Sequence, residues 1–133
     1  MTPEAHPDAS IDIVRRLALP EVVAFPGQLD ITNSIRVGAE LFAACRPGVR
    51  VVIADLSRTE FLDSSGVRYL IVASDQADAC GVDLRVVARS GTVLRMLGIT
   101  EADQRLRVFA TMADALAARV TDGHGLADEA VAD

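Results

Sequence analysis

Lysine and tryptophan are absent from this sequence of 133 residues, and cysteine and histidine occur only twice each. Each shortage removes a class of chemistry. Without Lys there is no Gly-Lys-Ser/Thr phosphate loop, and Gly91 and Gly98 stand as isolated helix-boundary glycines, so nucleotide hydrolysis in that style is excluded. His6 and His124 fall in segments read as flexible tails, where no preorganised catalytic or metal site can be built. Cys45 and Cys80 are far apart in the chain, with no second pair and no nearby His, which excludes a metal-knuckle spacing and a disulfide framework. Both are expected to be reduced, buried fillers. No stretch approaches the roughly 18 uninterrupted apolar residues that a membrane helix requires. The first ten residues carry Glu4, Asp8, Pro3 and Pro7 rather than a basic start and an apolar run, so no secretory signal is read there and a cytoplasmic location is expected.

The net charge of −6 belongs to the ends. Glu4 and Asp8 supply part of it, and Asp122, Asp128, Glu129 and Asp133 supply the rest. Between Ile11 and Val120 thirteen acids balance thirteen arginines. A neutral body has no basic field with which to release counterions from a phosphate backbone, so nucleic-acid binding is excluded as a function class. The expected organisation is a flexible tail over residues 1–10, one domain over 11–120 and an acidic, disordered tail over 121–133. No cofactor, metal or membrane partner is called for.

Within the body, strand and helix patterns alternate. Ile11, Ile13, Val14, Leu17 and Leu19 before Pro20, then Glu21 to Phe25 before Pro26-Gly27, predict two short strands in an antiparallel hairpin. Gly27-Gln28-Leu29-Asp30 reads as a loop, and Thr32, Asn33 and Ser34 as N-cap candidates. The next helix is expected to carry its apolar face on Ile35, Ala39, Phe42 and Cys45, and to stop at Pro47-Gly48. Val51-Val52-Ile53-Ala54 is a β-branched run too short for a helix, the pattern of a strand covered on both faces. A second helix follows through Val67, Leu70, Ile71, Ser74 and Ala77 to Gly81. Val82 to Ala88 reads as a strand, Ser90 as the cap of a short helix with Val93, Leu94 and Leu97, and Arg107-Val108-Phe109 as a final strand. Thr111 to Asp114 resembles a capping box opening a last helix through Leu116 and Val120. The fold class is therefore α/β: a small mixed β-sheet of four to five strands with about four helices packed against it.

The one concentration of polar groups outside the tails is Asp63-Ser64-Ser65-Gly66, between Phe61-Leu62 and the second helix. Either Asp63 or Ser64 serves as N-cap, and Gly66 is read as a close-packing position. A hydroxyl there sits on a loop yet is held by a rigid helix. Phosphorylation of Ser64 would add about 1.5 to 2 negative charges, which the N–H groups and dipole of a helix N-terminus stabilise. The domain would keep its fold, while a partner covering that spot would meet new bulk and charge beside Asp63. No structured His or Lys is available to make Ser64 a nucleophile, so no enzymatic activity is expected.

Taken in order, Gly27-Gln28-Leu29-Asp30, Val51 to Leu56, Phe61-Leu62-Asp63-Ser64-Ser65-Gly66, Leu94 to Ile99 and Phe109 to Leu116 resemble the STAS family, the sulphate transporter and anti-sigma factor antagonist domain. The resemblance is nearest to the stand-alone bacterial anti-sigma factor antagonists. It implies that Ser64 is the residue phosphorylated by an anti-sigma factor serine kinase of histidine-kinase-like ATPase fold. The unmodified protein would bind that kinase and release its sigma factor, and a serine phosphatase would reset the cycle. Asp30, Asp63, Ser65 and Gly66 are implied to shape the surroundings of the hydroxyl. The sequence departs from the family pattern at Gln28, where Glu is usual, and at Arg68 and Tyr69. Arg68 stands one turn past Ser64, within reach of a phosphate there, and Tyr69 is expected to be a half-buried packing residue. The alternative that the family leaves open is a non-catalytic scaffold subunit of a signalling or lipid-transport complex.

Overall fold

The structure, a computed structural model, describes residues 19–120. Its strands are β1 (Glu21–Ala24), β2 (Gln28–Leu29), β3 (Val51–Leu56), β4 (Phe61–Leu62), β5 (Asp83–Ala88) and β6 (Arg107–Phe109). Its helices are α1 (Ser34–Ala44), α2 (Ser64–Cys80), α3 (Gly91–Ile99) and α4 (Met112–Ala117), with a 3-10 turn at Ala102–Gln104. β1, β3, β5 and β6 form one four-stranded sheet in the order β1-β3-β5-β6, every neighbouring pair parallel. Parallel neighbours follow from the helical crossovers, which carry the chain back to the same end of the sheet before each new strand. The expected hairpin partner of β1 lies, apart from the exposed Leu19, outside the described residues, as do both tails and both histidines.

Alternation along β3 and β5 divides the interior in two. Val52, Ala54 and Leu56 of β3 and Leu84, Val86 and Ala88 of β5 face α1, α2 and α3 in the main core. Val51, Ile53 and Val87 face the other way and meet Ala115 of α4, with Phe109 and Met112 alongside. Central strands covered on both faces need no polar alternation, which is why Val51 to Ala54 reads as an unbroken apolar run. Helix ends follow the sequence signals. Ser90 accepts from the Thr92 N–H and Thr111 from the Asp114 N–H, and Gly81 closes α2 at φ 72, a left-handed position that Gly takes without steric cost.

Four expectations are corrected. The buried face of α1 is Ser34, Val37, Gly38, Leu41 and Ala44, whereas Ile35 and Phe42 are 66% and 43% exposed and Ala39 is exposed too. With Ile35, Val37, Leu41, Phe42 and three alanines, α1 carries two apolar stripes near helical spacing, and the sheet covers the other one. The segment read as a loop contains β2, whose Gln28 and Leu29 pair in parallel with Phe61 and Leu62. The last helix also stops at Ala117, short of Val120. Cys45 is buried and its thiol is pushed up to about 12, chiefly by burial, with Cys80 and Glu21 adding to the effect. Cys80 is only half-buried, one turn past Gln76, whose amide reaches its sulfur at 3.4 Å.

Candidate functional site

Local chain chemistry builds the start of α2. Asp63 is its N-cap, with extended backbone (φ −96, ψ −179) that turns its side chain back over the first turn. One carboxylate oxygen, Oδ1, accepts from the Ser65 N–H at 3.1 Å, the Gly66 N–H at 3.2 Å and the Ser65 hydroxyl at 2.6 Å. These are N–H groups that a helix cannot satisfy within itself. The Ser65 oxygen also lies 3.4 Å from the hydroxyl of the buried Ser34 at the start of α1. Ser65 is thereby held between Asp63 and Ser34. Ser64, the first residue of α2, is exposed, and its hydroxyl has no hydrogen-bond partner among the described residues.

Gly66 is required by what lies beneath it. A Cβ there would come within 2.5 Å of Leu62 Cδ1 and 2.7 Å of Leu29 Cδ2, and both leucines are buried. The helix start is thus seated directly on the β2–β4 ladder. The same ladder brings in Asp30: Leu29 pairs with Leu62, so Asp30 and Asp63 each stand one residue past a paired position. Bonds between the loops after β1 and β3 fix the ladder to the main sheet. The Glu60 N–H donates to the Gly27 carbonyl at 2.7 Å and the buried Thr59 hydroxyl to the Pro26 carbonyl at 2.7 Å.

Asp30 is rigid in its own turn. Its Oδ1 accepts from the Thr32 N–H at 2.9 Å and from the Thr32 hydroxyl, while its N–H donates to Asn33 Oδ1 at 3.0 Å. The Thr32 hydroxyl, followed by the backbone donors, holds the Asp30 carboxyl below its ordinary value of 3.8. Asn33 occupies the N-cap position of α1 but makes no capping bond, because its amide is spent on Asp30 and on the Gln28 carbonyl at 2.9 Å.

The structure therefore gathers Asp63, Ser65 and Gly66 around the exposed Ser64 hydroxyl and places Asp30 on the adjoining turn. Arg68 is exposed one turn along α2 and makes no ion pair among the described residues. Tyr69 is half-buried against Gly38, as its packing reading expects. Sequence reasoning missed Ser34 and Leu29 as parts of the site, since each acts through a contact some 30 residues away along the chain, and missed Leu62, which packs under Gly66 four residues on. Thr32 and Asn33, short polar residues after an Asp, serve the Asp30 turn rather than the helix cap expected of them. Among the described residues no group of three or more His, Cys, Asp or Glu could hold a metal ion. Among the described residues no base is hydrogen-bonded to the Ser64 hydroxyl.

Known proteins resemble the chain over this whole region. The STAS domain profile matches residues 13–115. The anti-sigma-F factor antagonist RsfB of Mycobacterium tuberculosis is 27% identical over 95 residues, covering 71% of this chain and 77% of RsfB. Among solved structures, an anti-sigma factor antagonist from Mycobacterium paratuberculosis superposes with a TM-score of 0.66 at 26% identity, over 73% of this chain and 82% of that one. A sulfate transporter family protein from Wolinella succinogenes has a TM-score of 0.65 at 20% identity, over 74% and 82%, and shares the fold. With the profile spanning the sheet, the β2–β4 ladder and the Asp63 to Gly66 turn, the chain belongs to the STAS domain family.

Proposed function

We propose that this protein is an anti-sigma factor antagonist whose binding to an anti-sigma factor serine kinase is switched off by phosphorylation of Ser64. The observation that carries the reading is the contrast between the two adjacent serines. The Ser65 hydroxyl is committed to Asp63 at 2.6 Å, whereas the Ser64 hydroxyl is exposed at the first position of a 17-residue helix. The similarity to RsfB and to the Mycobacterium paratuberculosis antagonist supports the partner class.

Phosphate at Ser64 would lie at the positive end of the α2 dipole, which stabilises an anion even with the Ser65 and Gly66 N–H groups already bonded to Asp63, so the domain tolerates the modification. It would also stand beside the carboxylates of Asp63 and Asp30. A partner seated there then faces a concentrated negative charge, and affinity falls unless that partner supplies a cation. A serine phosphatase restores the hydroxyl. The protein acts as a substrate and a ligand in this cycle, in the cytoplasm, and catalyses no step of it.

The test is phosphosite mapping after incubation with the anti-sigma kinase encoded by the same organism and ATP. Phosphate on Ser64, lost in Ser64→Ala, is the expected result, and undiminished phosphorylation of Ser64→Ala would overturn the assignment. In a titration, Ser64→Asp is expected to weaken kinase binding about tenfold or more, on the order of 1.4 kcal/mol.

A further inference from the structure

At the far end of β5 from Ser64 lies a second polar cluster, and it is buried. Asp83 and Arg85 are 3% and 2% exposed. The Asp83 carboxylate accepts from Arg85 Nη2 at 3.0 Å, from Arg85 Nε at 3.3 Å and from Arg107 Nη1 at 2.8 Å. Each arginine carries a further bond to the C-terminal segment: Arg85 Nη1 donates to the Ala115 carbonyl inside α4, and Arg107 Nη1 to the Arg119 carbonyl at 3.1 Å. One carboxylate therefore orients both cations that hold the segment.

The apolar hold on α4 is small and separate. Ala115 is its one buried residue, set on Val51, Ile53 and Val87 in a cluster that is distinct from the main core. Leu116 on its outer side is 51% exposed. A helix of six residues has no stability of its own in water, so its position depends on these contacts. Losing them leaves the main core intact, because α1, α2 and α3 pack on the opposite face of the sheet.

We propose that α4 is a releasable strap, latched by Arg85 and Arg107 through Asp83, that opens as a unit and bares Val51, Ile53 and Val87 while α2 and the Ser64 turn stay folded. Removing the Asp83 charge takes the bonded anion from the deeply buried Arg85 and weakens the Arg107 contact, and breaking such a buried pair is strongly destabilising. Segments with few buried apolar contacts open below the free energy of global unfolding.

Hydrogen exchange on the full chain, followed by mass spectrometry, tests the strap independently of any kinase. Peptides covering residues 112–120 are expected to exchange at least about tenfold faster than those covering β3 and α2, a gap of roughly 1.4 kcal/mol by that ratio. Asp83→Asn should widen the gap further while β3 and α2 stay protected. If Asp83→Asn fails to fold, Arg107→Gln at a half-buried position is expected to speed exchange several-fold in 112–120 alone. Exchange of 112–120 at the β3 rate in the native protein would overturn the strap. So would fast exchange that the substitutions leave unchanged, which marks simple fraying, or loosening of α4 only together with α2.

Discussion

Ser34 and Ser65 face each other across the starts of α1 and α2 with their hydroxyl oxygens 3.4 Å apart, and their spacing of 31 positions recurs down the helix pair. Gly38 lies beneath the ring of Tyr69, and the Cys45 carbonyl accepts from the Gln76 amide at 3.3 Å, again 31 positions on. The two helices thus run parallel and in register, as successive crossovers on one face of a parallel sheet must.

Gly38 is where that register is tightest. A Cβ there would fall 2.7 Å from both Cγ and Cδ1 of Tyr69, so Gly38→Ala forces the ring or the helix to move. Overpacking of this kind costs about 1–3 kcal/mol, which over most of that range exceeds the helix-propensity gain of roughly 1 kcal/mol from replacing Gly. Urea denaturation should show a lower midpoint for Gly38→Ala, and Tyr69→Ala in the same chain should recover part of the loss. A Gly38→Ala protein as stable as the parent would contradict the contact.

Asp63 caps α2 through three bonds to a single oxygen. Asp63→Ala is expected to cost about 1 kcal/mol, within the range of roughly 0.5–2 for loss of an N-cap, and Asp63→Asn much less. Thermal melts compare them directly. Equal melting temperatures for Asp63→Ala and the parent would mean that the cap contributes nothing.

Acid should loosen the turn at Asp30. Because Thr32 lowers the folded carboxyl below its ordinary value of 3.8, the turn's stabilisation is present above that value and fades as pH falls through the lower, folded one. A carboxyl-detected NMR titration should place the Asp30 midpoint below 3.8, and Thr32→Val should move it upward. A midpoint unmoved by Thr32→Val would assign the shift to another cause.

Much of this was legible because it is local. Asp63, Ser90, Thr111 and Gly81 announce helix boundaries within three or four residues of where they act, and Val51 to Ala54 announces its double burial by composition. Other features depend on what the chain meets far away. The choice between Ile35/Ala39/Phe42 and Val37/Leu41/Ala44 on α1 is made by the sheet, and the conversion of Gln28-Leu29 from loop to strand is made by Phe61-Leu62. Asp83 and Arg85 alternate with apolar residues as solvent-facing strand residues do. Their own pairing, Arg107 and the Ala115 carbonyl help to make their burial tolerable.

The in-register helix pair also constrains how information leaves the molecule. From Ser34 to Ala44 the contact extends along 11 helical residues, about 16 Å at 1.5 Å per residue, with a glycine notch gripping a tyrosine partway. Two rods meshed in this way resist sliding by any amount smaller than a full turn. A phosphate on Ser64, as proposed above, would then be an inscription on a stiff surface, legible to whatever molecule touches it.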